Sequence, residues 1–146
     1  MMKYYAAYGS NLNKYMMSER CPDAEAIGTA VLQDFELSCR GVPGRSYLTI
    51  DEKEGSYVPL GIFRINEEDE AALDQYEDYP ALYEKRIADL PVTFWDRSEE
   101  TLPVLYYVMN PGFEKNECTS AYALACLNGY DDFGFDSEIL MKGLYN

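Results

Sequence analysis

Two short stretches of this chain combine residue types that could do chemistry. The first is Tyr8-Gly9-Ser10-Asn11-Leu12. An aromatic strand running into a glycine turn and then a helix start leaves backbone N–H groups without partners inside the helix. Such donors, with the positive end of the helix dipole, form a cradle for a carboxylate or another anion. Glycine allows close approach of the backbone to a ligand, and the Ser10 and Asn11 side chains can add hydrogen bonds. Ser or Asn ahead of a helix is also a plain cap, and spacing alone does not separate the two roles.

The second stretch is the end of a helix beginning after Asn66, where Glu77 follows Leu73 by four residues. That spacing puts its carboxylate on the stripe shared with apolar side chains, in the last turn of the helix. Burial and the negative end of the dipole both disfavour the ionised form and raise the pKa toward a value suited to proton transfer. The chain has no histidine, so a carboxylate of this kind is the natural candidate for a general acid/base. The same pattern also permits Glu77 to rotate to the stripe's edge and be solvated. The neighbouring acids Asp69, Glu70, Asp74 and Asp78 lack the spacing and central glycine of a calcium loop. Ser10 and the cysteines lack the imidazole that usually activates such nucleophiles.

The elements that must position these residues follow from pattern. Lys3 to Tyr8 reads as a strand, and Asn13 to Cys21 as a helix ending before Pro22. Ala26 to Cys39 reads as one long strand or two interrupted near Gln33-Asp34. Tyr47–Ile50 and Tyr57–Ile65 read as a pair of strands around an Asp51–Ser56 turn. Asn66 is a good N-cap, and Glu67, Glu68 and Asp69 suit the first turn of a helix extending to about Asp78. Two more strands are expected at Tyr83–Trp95 and Leu102–Met109, then two short helices separated near Gly129 to Gly134. Strands outnumber helices without alternating regularly with them. The fold class is therefore α+β, with a largely closed or strongly curved sheet.

Length fits one domain spanning residues 1–146. A net charge of −14, from 26 acidic and 12 basic residues, repels phosphate backbones and anionic lipid, so neither nucleic acid nor a membrane is an expected partner. Fourteen tyrosines suggest a core or pocket supplied with polar handles. Cys21, Cys39, Cys118 and Cys126 form no C-x-x-C pair, and no metal site is expected from them. The apolar stretch after Met1-Met2-Lys3 breaks at Gly9-Ser10-Asn11, too early for a secretory signal. A cytoplasmic location with all four thiols reduced is the expectation.

Taken together, YAAYGSNL, LDQYEDYPALYEKR, PVLYYVMNP and AYALACLNGYDDFGF resemble the γ-glutamylcyclotransferase-like family, which includes the AIG2-like and γ-glutamylamine cyclotransferase proteins. The stretches come in the family's order and span nearly the whole chain. The resemblance implies a small closed or strongly curved mixed β-barrel with helices packed around it, and a metal-independent enzyme of lyase or acyltransferase type, without a cofactor. The substrate would be a small γ-glutamyl amine or γ-glutamyl amino acid, converted to 5-oxoproline and the free amine. By motif position, Tyr8, Gly9, Ser10, Asn11 and Leu12 would hold the glutamyl group, Glu77 would be the general acid/base, and Tyr83, Tyr107 and Tyr122 would be pocket tyrosines. Asp78 stands where many relatives have glycine. Two alternatives use the same scaffold: removal of a γ-glutamyl cap from a biosynthetic intermediate, and a catalytically silent small-ligand binding or interaction domain.

Overall fold

The computed structural model describes residues 2–145. Five strands close into a barrel in the order β1-β3-β2-β4-β5. They are β1 (Lys3–Ala7), β2 (Glu25–Val42), β3 (Arg45–Ile65), β4 (Tyr83–Phe94) and β5 (Glu99–Met109). Neighbours run antiparallel except β1 and β5, whose parallel contact at Tyr5 and Leu105 shuts the barrel. Four helices surround it: α1 (Lys14–Arg20), α2 (Glu67–Tyr76), α3 (Ser120–Phe133) and α4 (Ser137–Tyr145). The expected α+β barrel is what the chain forms.

Both faces of β3 are used. Val58, Leu60 and Ile62 are almost fully buried, and with Val92 and Val104 they fill the barrel. The alternate residues face the helices, as a period of two requires. There Phe63 meets Phe133 of α3 edge-on, with ring centroids 5.8 Å apart. A Cβ on Gly61 would meet Leu12 Cδ2 at 2.6 Å and the Phe133 ring at 2.7 Å, so this strand position admits no side chain without displacing its neighbours.

Three elements differ from the sequence expectation. β3 runs unbroken through residues 51–56 instead of turning there. Asp51 and Glu52 pair with Glu36 and Phe35 of β2, and residues 53–56 form a bulge opposite Asp34, with the Gly55 amide donating to the Asp34 carboxylate at 3.0 Å. α2 stops at Tyr76 and leaves Glu77 as its C-cap rather than in its last turn. α3 is a long helix that passes through Gly129, where a Cβ would lie 2.6 Å from the Asn13 backbone nitrogen and 2.7 Å from Leu12, so the glycine serves close packing and does not break the helix. The break comes at Gly134, with φ of 72°.

The expectation of four reduced thiols is also corrected. Cys39 on β2 is joined to Cys118 by a disulfide, their Cα atoms 6.2 Å apart across 79 residues of sequence. The segment between β5 and α3 lies along β2, with the Asn116 amide donating to the Cys39 carbonyl at 3.1 Å and the Gly41 amide to the Glu114 carbonyl at 3.0 Å. Cys21 and Cys126 are free and buried. No helix among the described residues is long and apolar enough to cross a membrane.

Candidate active site

β1 delivers the chain to the mouth of the barrel, where Gly9 turns it (φ −122°, ψ −132°) into a 3₁₀ turn over Ser10–Leu12. That turn uses the Leu12 amide, which donates to the Gly9 carbonyl, and the Asn13 amide, which donates to the Ser10 carbonyl. The amides of Gly9, Ser10 and Asn11 have no hydrogen-bond partner among the described residues. Asn13, not Ser10, caps the helix proper, accepting from the Met16 amide at 3.1 Å. The Gly9–Asn11 stretch is therefore spare of a capping duty and has donors to offer.

Opposite it stands the end of α2. Asn66 and Asp69 close a capping box at its start, each side chain accepting the other's backbone amide at 2.8 and 3.0 Å. Farther along, Glu70 pairs with Lys3 of β1 at 2.6 Å and with Lys85 of β4 at 2.7 Å, and Lys85 also pairs with Asp74 at 2.8 Å. These bonds hold α2 against three strands, since Asp74 also accepts from the Tyr107 hydroxyl of β5 at 2.6 Å. At the far end the Glu77 amide donates to the Leu73 carbonyl at 2.9 Å. Asp78 follows with φ of 52°, in the left-handed region where glycine is unstrained. The one departure from the family pattern noted in the sequence thus falls on a backbone conformation that suits glycine.

Between these two elements lies a cavity of about 590 Å³. Glu77 lines it together with Tyr8, Gly9, Ser10, Asn11, Tyr83, Tyr107 and Tyr122. Leu12 is the exception among the expected residues. Its side chain is fully buried, wedged between Gly61 of the barrel and Gly129 of α3, so it anchors the turn from behind and does not face the cavity.

Tyrosines build the walls, and their hydroxyls are committed to the frame. Tyr83 donates to the Leu48 carbonyl at 2.7 Å while the Leu48 amide donates to the Tyr122 hydroxyl at 3.1 Å, so two tyrosines grip one residue of β3. Tyr8 donates to the Tyr107 carbonyl at 2.6 Å. Tyr107 lies in the wall with its hydroxyl donating to Asp74. Ser10 and Tyr76 share a hydrogen bond of 2.8 Å, and the Asn11 amide group donates to the Tyr5 hydroxyl at 3.0 Å.

The Glu77 carboxyl has no ion pair or hydrogen-bond partner among the described residues. Protein surrounds it closely, and this desolvation pushes its pKa up to about 7, against a smaller downward pull from Arg20. Burial is thus the leading cause. The ring hydroxyls around it respond in turn: burial first, then the Glu77 charge, holds Tyr5 and Tyr8 well above their ordinary range, and burial, then Tyr8, then Glu77, does the same for Tyr83. These tyrosines are neutral at any working pH, and Glu77 is the wall's group poised near neutrality.

Toward the mouth the lining changes character. Arg45 and Val42 are exposed there, and half-buried Phe113 faces in from the segment that the disulfide secures. Tyr5, Tyr76 and Arg45 are site residues that the sequence reading did not single out as such. The abundance of tyrosine was the available signal for the first two; nothing in the spacing marked Arg45.

A family model described as gamma-glutamyl cyclotransferase, AIG2-like, matches residues 5–125. Among solved structures, one described as gamma-glutamyl cyclotransferase has a TM-score of 0.79 at 24% identity, covering 97% of this chain and 86% of that one. An uncharacterized protein from Homo sapiens, loc79017, has a TM-score of 0.77 at 24% identity, covering 97% and 85%. YkqA from Bacillus subtilis has a TM-score of 0.73 at 18% identity, covering 97% and 52%. At these identities the structures establish a shared fold. No curated protein matches the sequence significantly.

Proposed function

Because the chain belongs to the gamma-glutamyl cyclotransferase, AIG2-like family, we propose that it converts a small γ-glutamyl amine or γ-glutamyl amino acid to 5-oxoproline and the free amine, with Glu77 as general acid/base. One observation carries this: the unpaired Glu77 carboxyl, with its pKa raised to about 7, opens into the same cavity as the Gly9–Asn11 amides.

The chemistry asks for these parts. The α-ammonium of the γ-glutamyl group is not nucleophilic until it loses a proton. A carboxylate of pKa near 7 is a better acceptor than an ordinary one near 4, and it is still ionised at neutral pH in about half the molecules. The freed amine attacks the γ-carbonyl carbon, forming the five-membered ring and moving charge onto the carbonyl oxygen. The amides of Gly9, Ser10 and Asn11 stabilise that oxyanion without reorganising. As the tetrahedral centre collapses, the old amide C–N bond breaks, Glu77 returns its proton to the departing nitrogen and then takes the surplus proton of the ring nitrogen, which passes to the free amine so that it leaves as an ammonium. Nothing is oxidised or reduced, and the scheme calls on no cofactor. Closure is intramolecular, so a wall of fixed tyrosines that keeps the glutamyl chain folded supplies much of the rate. Deep placement of the glutamyl group leaves the leaving group at the mouth, beside Arg45, Val42 and Phe113.

The test is to incubate the purified protein with a panel of γ-glutamyl amines and γ-glutamyl dipeptides and to follow 5-oxoproline by mass spectrometry. Release of 5-oxoproline with an equal amount of amine supports the proposal. Free glutamate as the product would point to hydrolysis instead. No product from any member, with measurable binding, would leave a silent ligand-binding domain.

A further inference from the structure

We propose that Arg20 is a positioning residue for this site: its guanidinium clamps Asn11 of the amide turn to Tyr76 at the end of α2, so that the two halves of the site share one fastening. The inference rests on the reading of Glu77 as the proton carrier.

Arg20 is the last residue of α1 and does not line the cavity. Its guanidinium carbon lies 3.6 Å from the centroid of the Tyr76 ring, a stacked cation–π contact. From the edge of the same group, Nη1 donates to Asn11 Oδ1. With Oδ1 so engaged, the Asn11 amide nitrogen is the end that faces Tyr5, to which it donates at 3.0 Å. The Tyr76 hydroxyl in turn meets Ser10. One side chain therefore touches the residue on each side of the site that stands next to its working groups: Asn11 in the amide turn, and Tyr76 immediately before Glu77. Only arginine offers a flat face for the ring and an N–H edge for the amide at once; a lysine ammonium can provide charge but not that geometry.

The charge is placed to matter as well. No carboxylate pairs with Arg20 among the described residues. The groups that sense Glu77 from the elements around it are Tyr5 of β1, Tyr8 after it, Tyr76 of α2, Tyr83 of β4, Tyr107 of β5 and Tyr122 of α3. All are neutral phenols. The remaining charged members of the cavity wall are Asp78 and Arg45, both exposed. Arg20 is the cation that opposes the burial of Glu77. It keeps the carboxylate accessible at neutral pH instead of locking it as the acid.

The test separates charge from geometry with Arg20→Met and Arg20→Lys. The Glu77 carboxyl is titrated by carbon-detected NMR in each folded variant, and kcat and KM are measured with the best γ-glutamyl substrate across pH. Removing the cation moves the Glu77 midpoint, and the acid limb of kcat/KM with it, upward by roughly half to one pH unit. Arg20→Lys holds the midpoint near that of the parent but lowers kcat roughly tenfold, because the Asn11–Tyr76 clamp is gone. An unshifted midpoint in Arg20→Met, or parental kcat in Arg20→Lys, overturns the proposal. Arg20→Gln replaces Arg20→Met if the latter does not fold. The carboxyl titration decides the Arg20–Glu77 relation even if the parent protein releases no 5-oxoproline, so failure of the reaction and failure of this inference are distinct results.

Discussion

Ser10 and Tyr76, 66 residues apart in sequence, meet through their hydroxyls at 2.8 Å. The bond joins the turn that offers free amides to the helix end that carries Glu77, and it explains how two remote stretches keep one geometry. Both partners belong to rigid settings: Ser10 to a 3₁₀ turn backed by the buried Leu12, and Tyr76 to a helix tied by ion pairs to β1 and β4. Chemistry at this site is therefore built on packed elements, not on mobile loops.

The raised pKa of Glu77 predicts the pH dependence. Glu77 must be ionised to accept a proton, so kcat/KM falls as pH drops through about 7. Stability runs the opposite way. A carboxyl whose folded pKa lies above its ordinary value favours the fold when protonated, in full below its unfolded pKa, and loses that contribution as pH rises through about 7. Rate profiles and chemical denaturation at pH 5 and 8, on the parent and on Glu77→Gln, check both. The parent should lose more stability than the variant between those two pH values.

Gly9 has little room beside it. A Cβ there would lie 3.1 Å from the Tyr122 hydroxyl, which itself is held by the Leu48 amide. Gly9→Val should weaken binding of a γ-glutamyl ligand roughly tenfold or more, the scale of a steric misfit of 1–3 kcal/mol. Calorimetric titration measures it, and unchanged affinity would remove the turn from the binding site.

The Cys39–Cys118 bond closes a loop of 79 residues and secures the segment bearing Phe113. Reduction should lower the melting temperature, in line with the ~2–4 kcal/mol usual for such cross-links, and raise KM by loosening that wall. Thermal unfolding with and without dithiothreitol tests this. Cys39→Ser should behave like the reduced parent and show no further response to the reductant.

Arg45 stands exposed at the mouth with no ion pair among the described residues. A leaving group with a carboxylate would meet it, whereas a plain amine would not. Arg45→Ala should therefore raise KM several-fold for γ-glutamyl amino acids, as expected for loss of a partly exposed charge pair, and leave KM for γ-glutamyl alkylamines nearly unchanged. Equal effects on both classes would rule out a carboxylate contact.

Much of this arrangement was legible in the sequence because local signals agreed with the fold. Gly9 breaks an aromatic strand, Asn66 begins a helix with its capping partner three residues on, and Glu77 sits four residues after a buried leucine. What escaped notice depended on contacts between distant segments. The polar stretch from Asp51 to Ser56 has turn composition, yet Asp51 and Glu52 pair with β2 and residues 53–56 bulge within β3, where the Asp34 carboxylate holds the Gly55 amide. Gly129 looks like a breaker, but it is the place where α3 approaches the Leu12–Asn13 backbone. Leu12 travels with the Gly-Ser-Asn motif while pointing into the core. The pairing of Cys39 with Cys118 is set by how the β5–α3 segment lies on β2, which no cysteine spacing encodes.

The most direct test is the rate of 5-oxoproline release by Glu77→Gln beside the parent at pH 8, with melting curves to verify that both are folded. The amide keeps the size and the hydrogen-bonding reach of the carboxyl but cannot carry the proton. The account predicts a loss of at least ~100-fold in kcat with KM little changed. Release at the parental rate by a folded Glu77→Gln protein would contradict it.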